Sequence, residues 1–343
     1  MNLFYKSTIK RFSSTNSNNL FNKLNTLIKE LPHRDALMIS SQNIKWSIKE
    51  LDTYTTAFAK HLIELGFKPG QSFMAWSDIN HSAEIICSLL GAWKAGLKVI
   101  YCESEEFDDI ESCINKADVF MFSPFIQVNS STRLDYISPK LNEMKESNKH
   151  IIQISHKSIN NTIKFKQAFN YSSGLSSSIY LPNLDYNSTA LEIHSLDKTN
   201  NFSFDDLFSD TNTSYDKSES YNSVVNSVPV YNPYNMVQGL IKQLVNYNYV
   251  VFPGSYSLKE ITDNIKMQNA YRFICEEGLL DVSIPDNKLN NIESNSSGVK
   301  EVYIFGSSND LKSKFESSKN SGFLSCFKNA EFYNVDQMLM NRI

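Results

Sequence analysis

Glycine is scarce in this chain: 11 residues out of 343, with Gly174 alone between Gly96 and Gly239. A loop that wraps phosphate oxygens with backbone N–H groups needs glycine, because the backbone must turn inward and approach closely. The central part of the sequence is therefore poor in the raw material for such a loop. Cysteine is also thin. Cys87, Cys102, Cys113, Cys275 and Cys326 stand apart, with no CxxC pair, which fits a reducing compartment and gives no zinc-ligand spacing. Excess positive charge is lacking too. The net charge of −4 and pI near 5.9 argue against nucleic acid as a partner. No apolar run approaches the roughly 18 residues of a membrane span; Lys94, Lys98 and Lys242 interrupt the longest ones. HExxH, GxSxG and GxGxxG are all missing, and the six histidines, His33, His61, His81, His150, His156 and His194, are scattered. They read as ordinary surface or core histidines.

Acidic residues are missing from Met1 to Lys29, and Lys6, Lys10 and Arg11 supply the charge of the first fifteen positions. Tyr5, Ile9 and Phe12 fall on one helical face, and "KRFSSTNSNN" follows. An acid-free, basic, Ser-bearing amphipathic start has the form of a mitochondrial targeting segment. Residues 1–15 are read this way, and 16–34 as a leader helix and linker. The expected address is the mitochondrial matrix or the inner membrane surface.

What is present is alternating β and α pattern, with a 41% hydrophobic share that suits a globular protein. Trp46 precedes "SIKE", in which Ser47 caps a helix and Glu50 completes the capping box. Ile48, Leu51, Tyr54, Phe58, Leu62 and Leu65 then recur at helical spacing, and Gly66 with Pro69-Gly70 turns the chain. "SFMAW" and "KVIYC" read as strands around an apolar helix over 82–95 closed by Gly96. "FDDIESCINKA", "DVFMF" and "HIIQIS" continue the alternation. Residues 156–227 turn polar and read as a loop-rich insertion around the strand "STALEIHSL". The pattern resumes with "VPVY" as a strand, a helix over 234–247, "YVVFP", a helix opened by "SLKE", "YRFIC" and "EVYIF". The expected fold is α/β, with layered, mostly parallel sheets flanked by helices. Asp108 and Asp109, with Glu103, Glu105 and Glu106, form an acidic run that reads as solvated surface.

Residues 35–122 resemble the N-terminal part of the AMP-forming acyl-CoA synthetases, the adenylating superfamily. The resemblance rests on "DALM", on Trp46 with "SIKELDTYTTAFAKHLIELGFKPGQSFMAW", on Asn80 and Glu84, and on "LLGAWKAGLKVIY". Gln71 stands where that family usually has Asp. A second block, "VPVYNPYNMVQGLIKQLVNYNYVVFPGSYSLKEI" at 228–261, follows the family's Pro-x-x-His and Gly-x-x-x-x-Leu spacing, with Asn232 in place of His. "EVYIFGSSNDL" is similar to its strand before a Gly-Gly turn. The fold implied is that of the synthetase N-terminal domain, over 35–343.

The resemblance implies a phosphate loop, Ser/Thr/Gly-rich and ending Gly-x-Pro-Lys-Gly. "YSSGLSSSIYL" (171–181) imitates its beginning and then lacks the later glycines, Pro and Lys. "IHSLDKTNNFS" (193–203) sits better after its strand, keeping Ser195, Lys198 and Thr199, but has no glycine and puts Asp197 where phosphate would lie. The second implied motif, Tyr-Gly-x-Thr-Glu, is similar to "FYNVDQ" at 332–337. Tyr333 is kept, while Asn334, Asp336 and Gln337 replace the Gly, the phosphate-contacting Thr and the magnesium-holding Glu. Gln is a poor magnesium ligand. The sequence ends at Ile343, before any ribose-binding Asp or lid domain of the family. Ser195, Tyr333, Asp336 and Gln337 are thus vestigial cofactor-binding positions, with no catalytic residue, metal or cofactor expected. The expectation is a non-catalytic pseudoenzyme, a peripheral subunit bound to other proteins of a mitochondrial assembly such as a respiratory-chain complex or the ATP synthase. The alternative is a ligase half that still binds acyl-CoA or nucleotide and works with a separate C-terminal domain.

Overall fold

The structure, a computed structural model, describes residues 19–104, 106–128, 130–167, 179–195, 198–209, 222–255, 257–282, 298–306, 314–318, 323–327 and 329–334. Lys6, Lys10 and Arg11 lie outside the described residues, as do Asp336 and Gln337.

The chain opens with helix α1 (Leu20–Glu30), capped by Asn19, whose side chain accepts from the Phe21 N–H. Next come β1 (Asp35–Ile39), β2 (Ile44–Ser47), helix α2 (Ile48–Glu64), β3 (Ser72–Trp76), helix α3 (Ser82–Lys94), β4 (Lys98–Cys102), helix α4 (Phe107–Lys116) and β5 (Val119–Phe122). A small ribbon, β6 (Gln127–Val128) with β7 (Ser131–Thr132), precedes β8 (His150–Gln153), β9 (Ile163–Lys164), β10 (Thr189–Ser195) and β11 (Lys198–Ser203). The last strands are β12 (Ser223–Asn226), β13 (Tyr249–Phe252), β14 (Arg272–Glu276), β15 (Glu301–Phe305) and β16 (Glu331–Asn334).

These strands build two seven-stranded sheets, in the orders β16-β15-β14-β12-β13-β1-β2 and β11-β10-β4-β3-β5-β8-β9. Each is parallel throughout except for one antiparallel edge, β1–β2 in the first and β10–β11 in the second. Parallel strands need crossovers that cover both faces, so their sequences are apolar on both sides. Every residue of β5, β12 and β13 is buried accordingly. One continuous core joins the facing sides of the sheets, with Phe58 of α2, Trp93 of α3, Phe73 of β3 and Val250 of β13 among its members. Separate cores lie on the outer faces. One gathers around Ile261 and Ile265 of the helix Leu258–Met267, the other around Ile110, Cys113 and Ile114 of α4. The fold is thus layered α/β, with helices between the sheets and outside both.

The local signals act as their chemistry requires. Ser47 and Glu50 form the complete capping box of α2. Gly66, Gly70 and Gly96 adopt φ values of 93°, 88° and 77°. Gln71, in place of Asp, closes its turn by accepting from the Lys68 N–H at 2.8 Å. Lys94, which interrupts the apolar run, is buried but bonded: its Nζ reaches Asp52 Oδ1 at 2.6 Å and Thr55 Oγ1 at 2.7 Å.

Elsewhere the structure differs from the sequence reading. The strand expected at "VPVY" lies instead at 223–226, and 228–231 is the turn beyond it. Pro229 has no N–H to donate, which disfavours a central strand position. The helix expected over 234–247 is present but broken in type, with a π-helical turn at Met236–Ile241. Within 156–227 the structure adds β9, β11, β12 and a short helix, Phe204–Phe208, whose cap Ser203 and Asp206 form another capping box. Leu20, Phe21, Leu24 and Leu27 of α1 enter the main core, so this leader helix is built into the fold.

Candidate functional site: a closed hairpin and two polar networks

Where the resemblance places a phosphate loop, the structure has a tight hairpin. The β10–β11 ladder runs from Leu191↔Phe202 to Ser195↔Lys198, leaving positions 196 and 197 to connect the strands. Ser195 Oγ donates to the Lys198 carbonyl at 3.0 Å. A phosphate nest needs several consecutive N–H groups free to converge. Two residues cannot supply the long Ser/Thr/Gly-rich loop. Ser195, kept in sequence, is a hairpin-closing residue. Asp197 lies outside the described residues, and so does most of 171–181.

The hairpin's inner face carries a network that the sequence reading missed. Glu192 accepts from Lys98 Nζ through one carboxylate oxygen and from His194 Nε2, at 2.6 Å, through the other. On the far side of the ring, His194 Nδ1 meets Lys116 Nζ at 3.3 Å and Thr199 Oγ1 at 3.1 Å. An ammonium can only donate, so Nδ1 is the acceptor and Nε2 carries the proton. Burial alone would raise the Glu192 carboxyl, but the bonds from Lys98 and His194 outweigh it and hold it below its ordinary range. Lys98 and Lys116 are therefore engaged within the protein. The clue in the sequence was Glu192 and His194 at i, i+2, on one face of a strand.

A second polar network lies at the end of β12. Asn226 Nδ2 donates to Asn235 Oδ1 at 2.8 Å and to the Gly239 carbonyl at 3.2 Å. Asn226 Oδ1 accepts from the Val228 N–H, and Asn235 Nδ2 donates to the carbonyls of Val228 and Pro229. A π-helical turn leaves carbonyls offset from the normal ladder, and here Asn226 takes up one of them. A Cβ at Gly239 would collide with Asn235 Oδ1. The turn 228–235 is thereby locked in place. Asn232, standing for the family's His, accepts from the N–H groups of Tyr234 and Asn235 and serves as a helix cap.

Tyr101, near the end of β4, Tyr231, Tyr234 and Phe202 pack on the main core; the Phe202 and Tyr234 rings meet edge-on at 5.6 Å. Burial pushes the Tyr101 hydroxyl well up, and Tyr231, Glu103 and Glu276 add to the effect. Glu103 and Glu276, close to this hydroxyl, add negative charge that repels a triphosphate.

Tyr333 sits on β16, at the outer edge of the first sheet. Its ring stacks on Tyr303 at 4.8 Å. Its hydroxyl donates to Glu331 Oε2 at 2.5 Å, which, with burial, pushes its pKa up to about 12. Ser195 and Tyr333 belong to different sheets, each bonded to its own strand neighbours. Asp108 and Asp109 occupy the first turn of α4, where negative charge complements the helix dipole. Among the described residues no group of three or more His, Cys, Asp or Glu could hold a metal ion.

A Ser-His-Asp set is also present. Beyond β3 and β5, Ser77 Oγ and Ser123 Oγ lie 2.5 Å apart. His81 Nδ1 is 3.2 Å from Ser123 Oγ and 2.8 Å from Asp78 Oδ1. A general-base relay uses one ring nitrogen for the acid and the other for the nucleophile. Here both contacts fall on Nδ1, so the set ties the β3–α3 turn to β5.

No protein-family model matches the sequence, and no curated protein is significantly similar to it. Solved structures do share the fold. A luciferase-like enzyme from the mealworm Zophobas morio aligns with a TM-score of 0.66 at 13% identity, over 92% of this chain and 72% of that one. A protein from Rhodopseudomonas palustris assigned as a long-chain-fatty-acid CoA ligase gives 0.64 at 13%, over 92% and 74%. Mycobacterium smegmatis MbtA gives 0.65 at 12%, over 91% of this chain and 55% of that one. The chain has the fold of the AMP-forming acyl-CoA synthetases and related adenylating ligases, over their N-terminal-domain region. It spans part of the length of each.

Proposed function

We propose that the protein is a non-catalytic member of the adenylating fold class, a pseudoenzyme acting as a structural or accessory protein. The observation that carries this reading is the Ser195↔Lys198 pairing, which leaves two residues where a phosphate loop would need many more. The engaged Lys98 and Lys116 and the carboxylates of Glu103 and Glu276 near Tyr101 point the same way. The acid-free, basic residues 1–15 support delivery to mitochondria. There the protein serves as a peripheral subunit of an assembly, with a respiratory-chain complex or the ATP synthase as the first places to look.

The test is calorimetric titration with Mg-ATP, alongside pyrophosphate release in the presence of ATP and a panel of fatty acids. The expected result is no saturable heat up to roughly 1 mM, the upper end of ordinary enzyme affinities, and no pyrophosphate above a heat-killed control. Saturable ATP binding or turnover overturns the reading. The second reading is retained binding of an acyl-CoA, for which the aromatic cluster of Tyr101, Tyr231 and Tyr234 is the first place to look. Titration with acyl-CoA separates the two: heat with acyl-CoA and none with ATP selects the binding protein.

A further inference from the structure

Charge is spread unevenly along this chain. Residues 140–166 hold six lysines and two glutamates, with no aspartate and no arginine, a balance of +4. The whole chain is −4, so everything outside this stretch sums to −8. The stretch folds into one border of the molecule. It comprises the helix Leu141–Glu146, β8, and β9, which is the last strand at that end of the second sheet.

The lysines of this border are not neutralised by neighbouring acids. Lys145 and Lys157 are exposed and Lys164 is half-buried. Lys145 Nζ donates to Asn161 Oδ1 at 3.0 Å, and Lys164 Nζ donates to the His156 carbonyl at 2.9 Å. Lys157 Nζ lies 4.9 Å from the centre of the Phe125 ring. All three meet uncharged groups, and none forms an ion pair among the described residues. Lys140, by contrast, pairs with Glu111. The loop that carries Lys157 is held in place. Asn161 Nδ2 donates to Asn142 Oδ1 at 2.7 Å, and Gln153 Nε2 donates to the Lys157 carbonyl at 2.7 Å. Phe125, just beyond β5, is 44% exposed, so a large apolar ring stands in water at the rim of the basic border.

We propose that this border docks the protein on an anionic phospholipid surface, with Lys145, Lys157 and Lys164 against the headgroups and Phe125 entering the interface. The choice of lipid follows from the residue types. Lysine is a compact point charge that suits diffuse headgroup charge. The planar fork of arginine, favoured for nucleic-acid phosphates and for the carboxylates of a protein partner, is missing from the stretch. An exposed aromatic ring beside lysines is an interfacial pairing, apolar on one side and charged on the other. The −8 on the rest of the chain is repelled by the same surface and turns the basic border toward it. Among the described residues no helix is long and apolar enough to cross a membrane, so this contact is peripheral. It depends neither on the reading of residues 1–15 nor on the closed hairpin.

The full-length protein is sedimented with phosphatidylcholine vesicles, with and without about 30% phosphatidylglycerol. Binding should require the anionic lipid and should fall steeply between about 0.1 M and about 0.5 M salt, because screening shortens the reach of the lysines. The triple variant Lys145→Gln, Lys157→Gln, Lys164→Gln should bind at least about tenfold more weakly, since each lysine near such a surface contributes roughly fivefold. Phe125→Ser should weaken binding at every salt concentration. Lys259, Lys266 and Lys300 are exposed on elements of the first sheet's side, and exchanging all three for Gln should leave binding unchanged despite the same loss of charge. Circular dichroism checks that the variants fold, and the salt series on the parent protein needs no variant. The proposal is overturned by equal binding to neutral vesicles, by no binding to either kind, or by parent-like binding of the first triple variant. It is equally overturned by loss of binding in the second triple variant, or by an oligonucleotide that binds these lysines while vesicles do not.

Discussion

Asn226 and Asn235 meet amide to amide at 2.8 Å, directly against Gly239 in the π-helical turn. This contact decides where the 228–235 turn lies, because Asn235 also holds the carbonyls of Val228 and Pro229. Asn235→Ala should cost about 2 kcal/mol by leaving buried groups without partners. Gly239→Ala should cost about 3 kcal/mol by overpacking. The double variant should fall short of the sum, since the added methyl then meets a truncated neighbour. Urea denaturation measures all three; simple additivity would show that the pair is not the lock described.

Glu192 holds Lys98 and His194 together on the hairpin. Glu192→Gln should lower stability at neutral pH by about 1 kcal/mol, since the carboxylate is only partly buried and solvent screens its bonds. Its folded pKa is depressed, so the carboxylate stabilises the protein above its unfolded value, about 4.3. That contribution is lost as pH falls through the folded pKa. Denaturation midpoints from pH 6 down to pH 3 should therefore fall more steeply in the parent than in Glu192→Gln. Parallel curves would remove the network from the account of stability.

His61 and His150 work in a higher window. Burial lowers both, and for His61 the nearby His150 adds to the effect. Their neutral forms belong to the folded state, so their contribution is complete above the unfolded value of about 6.5. It declines as pH falls below that value, because the unfolded chain binds more protons. Stability should drop between pH 7 and pH 5, and His61→Gln should flatten the drop. An unchanged slope in the variant would count against this sign.

Placement in the cell is tested at residues 1–15. Exchanging Lys6, Lys10 and Arg11 for Glu should leave the protein in the cytosol, as read by fractionation or a fluorescent fusion. Import of the altered protein refutes the targeting role. For the parent protein, native electrophoresis of mild-detergent mitochondrial extracts should show migration well above its own 39.2 kDa. A free species with no co-purifying partner would leave a lone binding protein as the better account.

Much of the architecture was legible because its signals are local. A Ser47–Glu50 capping box, helical spacing from Ile48 to Leu65 and the glycines at 66, 70 and 96 specify α2 and its neighbours within a few residues of chain. Apolar runs such as "VFMF" and "YVVF" declare parallel strands for the same reason: both faces must be covered. The scarcity of glycine between Gly96 and Gly239, where Gly174 stands alone, is the sequence feature behind the expectation of no phosphate loop.

Other features belonged to the tertiary structure. "KTNNFS" has no strand-like hydrophobic alternation, because β11 is an edge strand that buries only Phe202; only the ladder to β10 makes it a strand. The strand at 223–226, flanked by a polar tract, was displaced onto "VPVY" because valine pattern alone cannot see that Pro229 would break a central ladder. Lys98 and Lys116 come from β4 and α4, while Glu192 and His194 share β10, and nothing in the sequence declares that the two lysines meet that pair. By itself the sequence determined the helices, the buried strands and the poverty of phosphate-binding backbone, which depend on neighbours along the chain. Tertiary packing decided that Ser195 closes a hairpin and that Asn232 caps a helix. Those outcomes depend on which strand lies beside which, and that follows from packing the whole core.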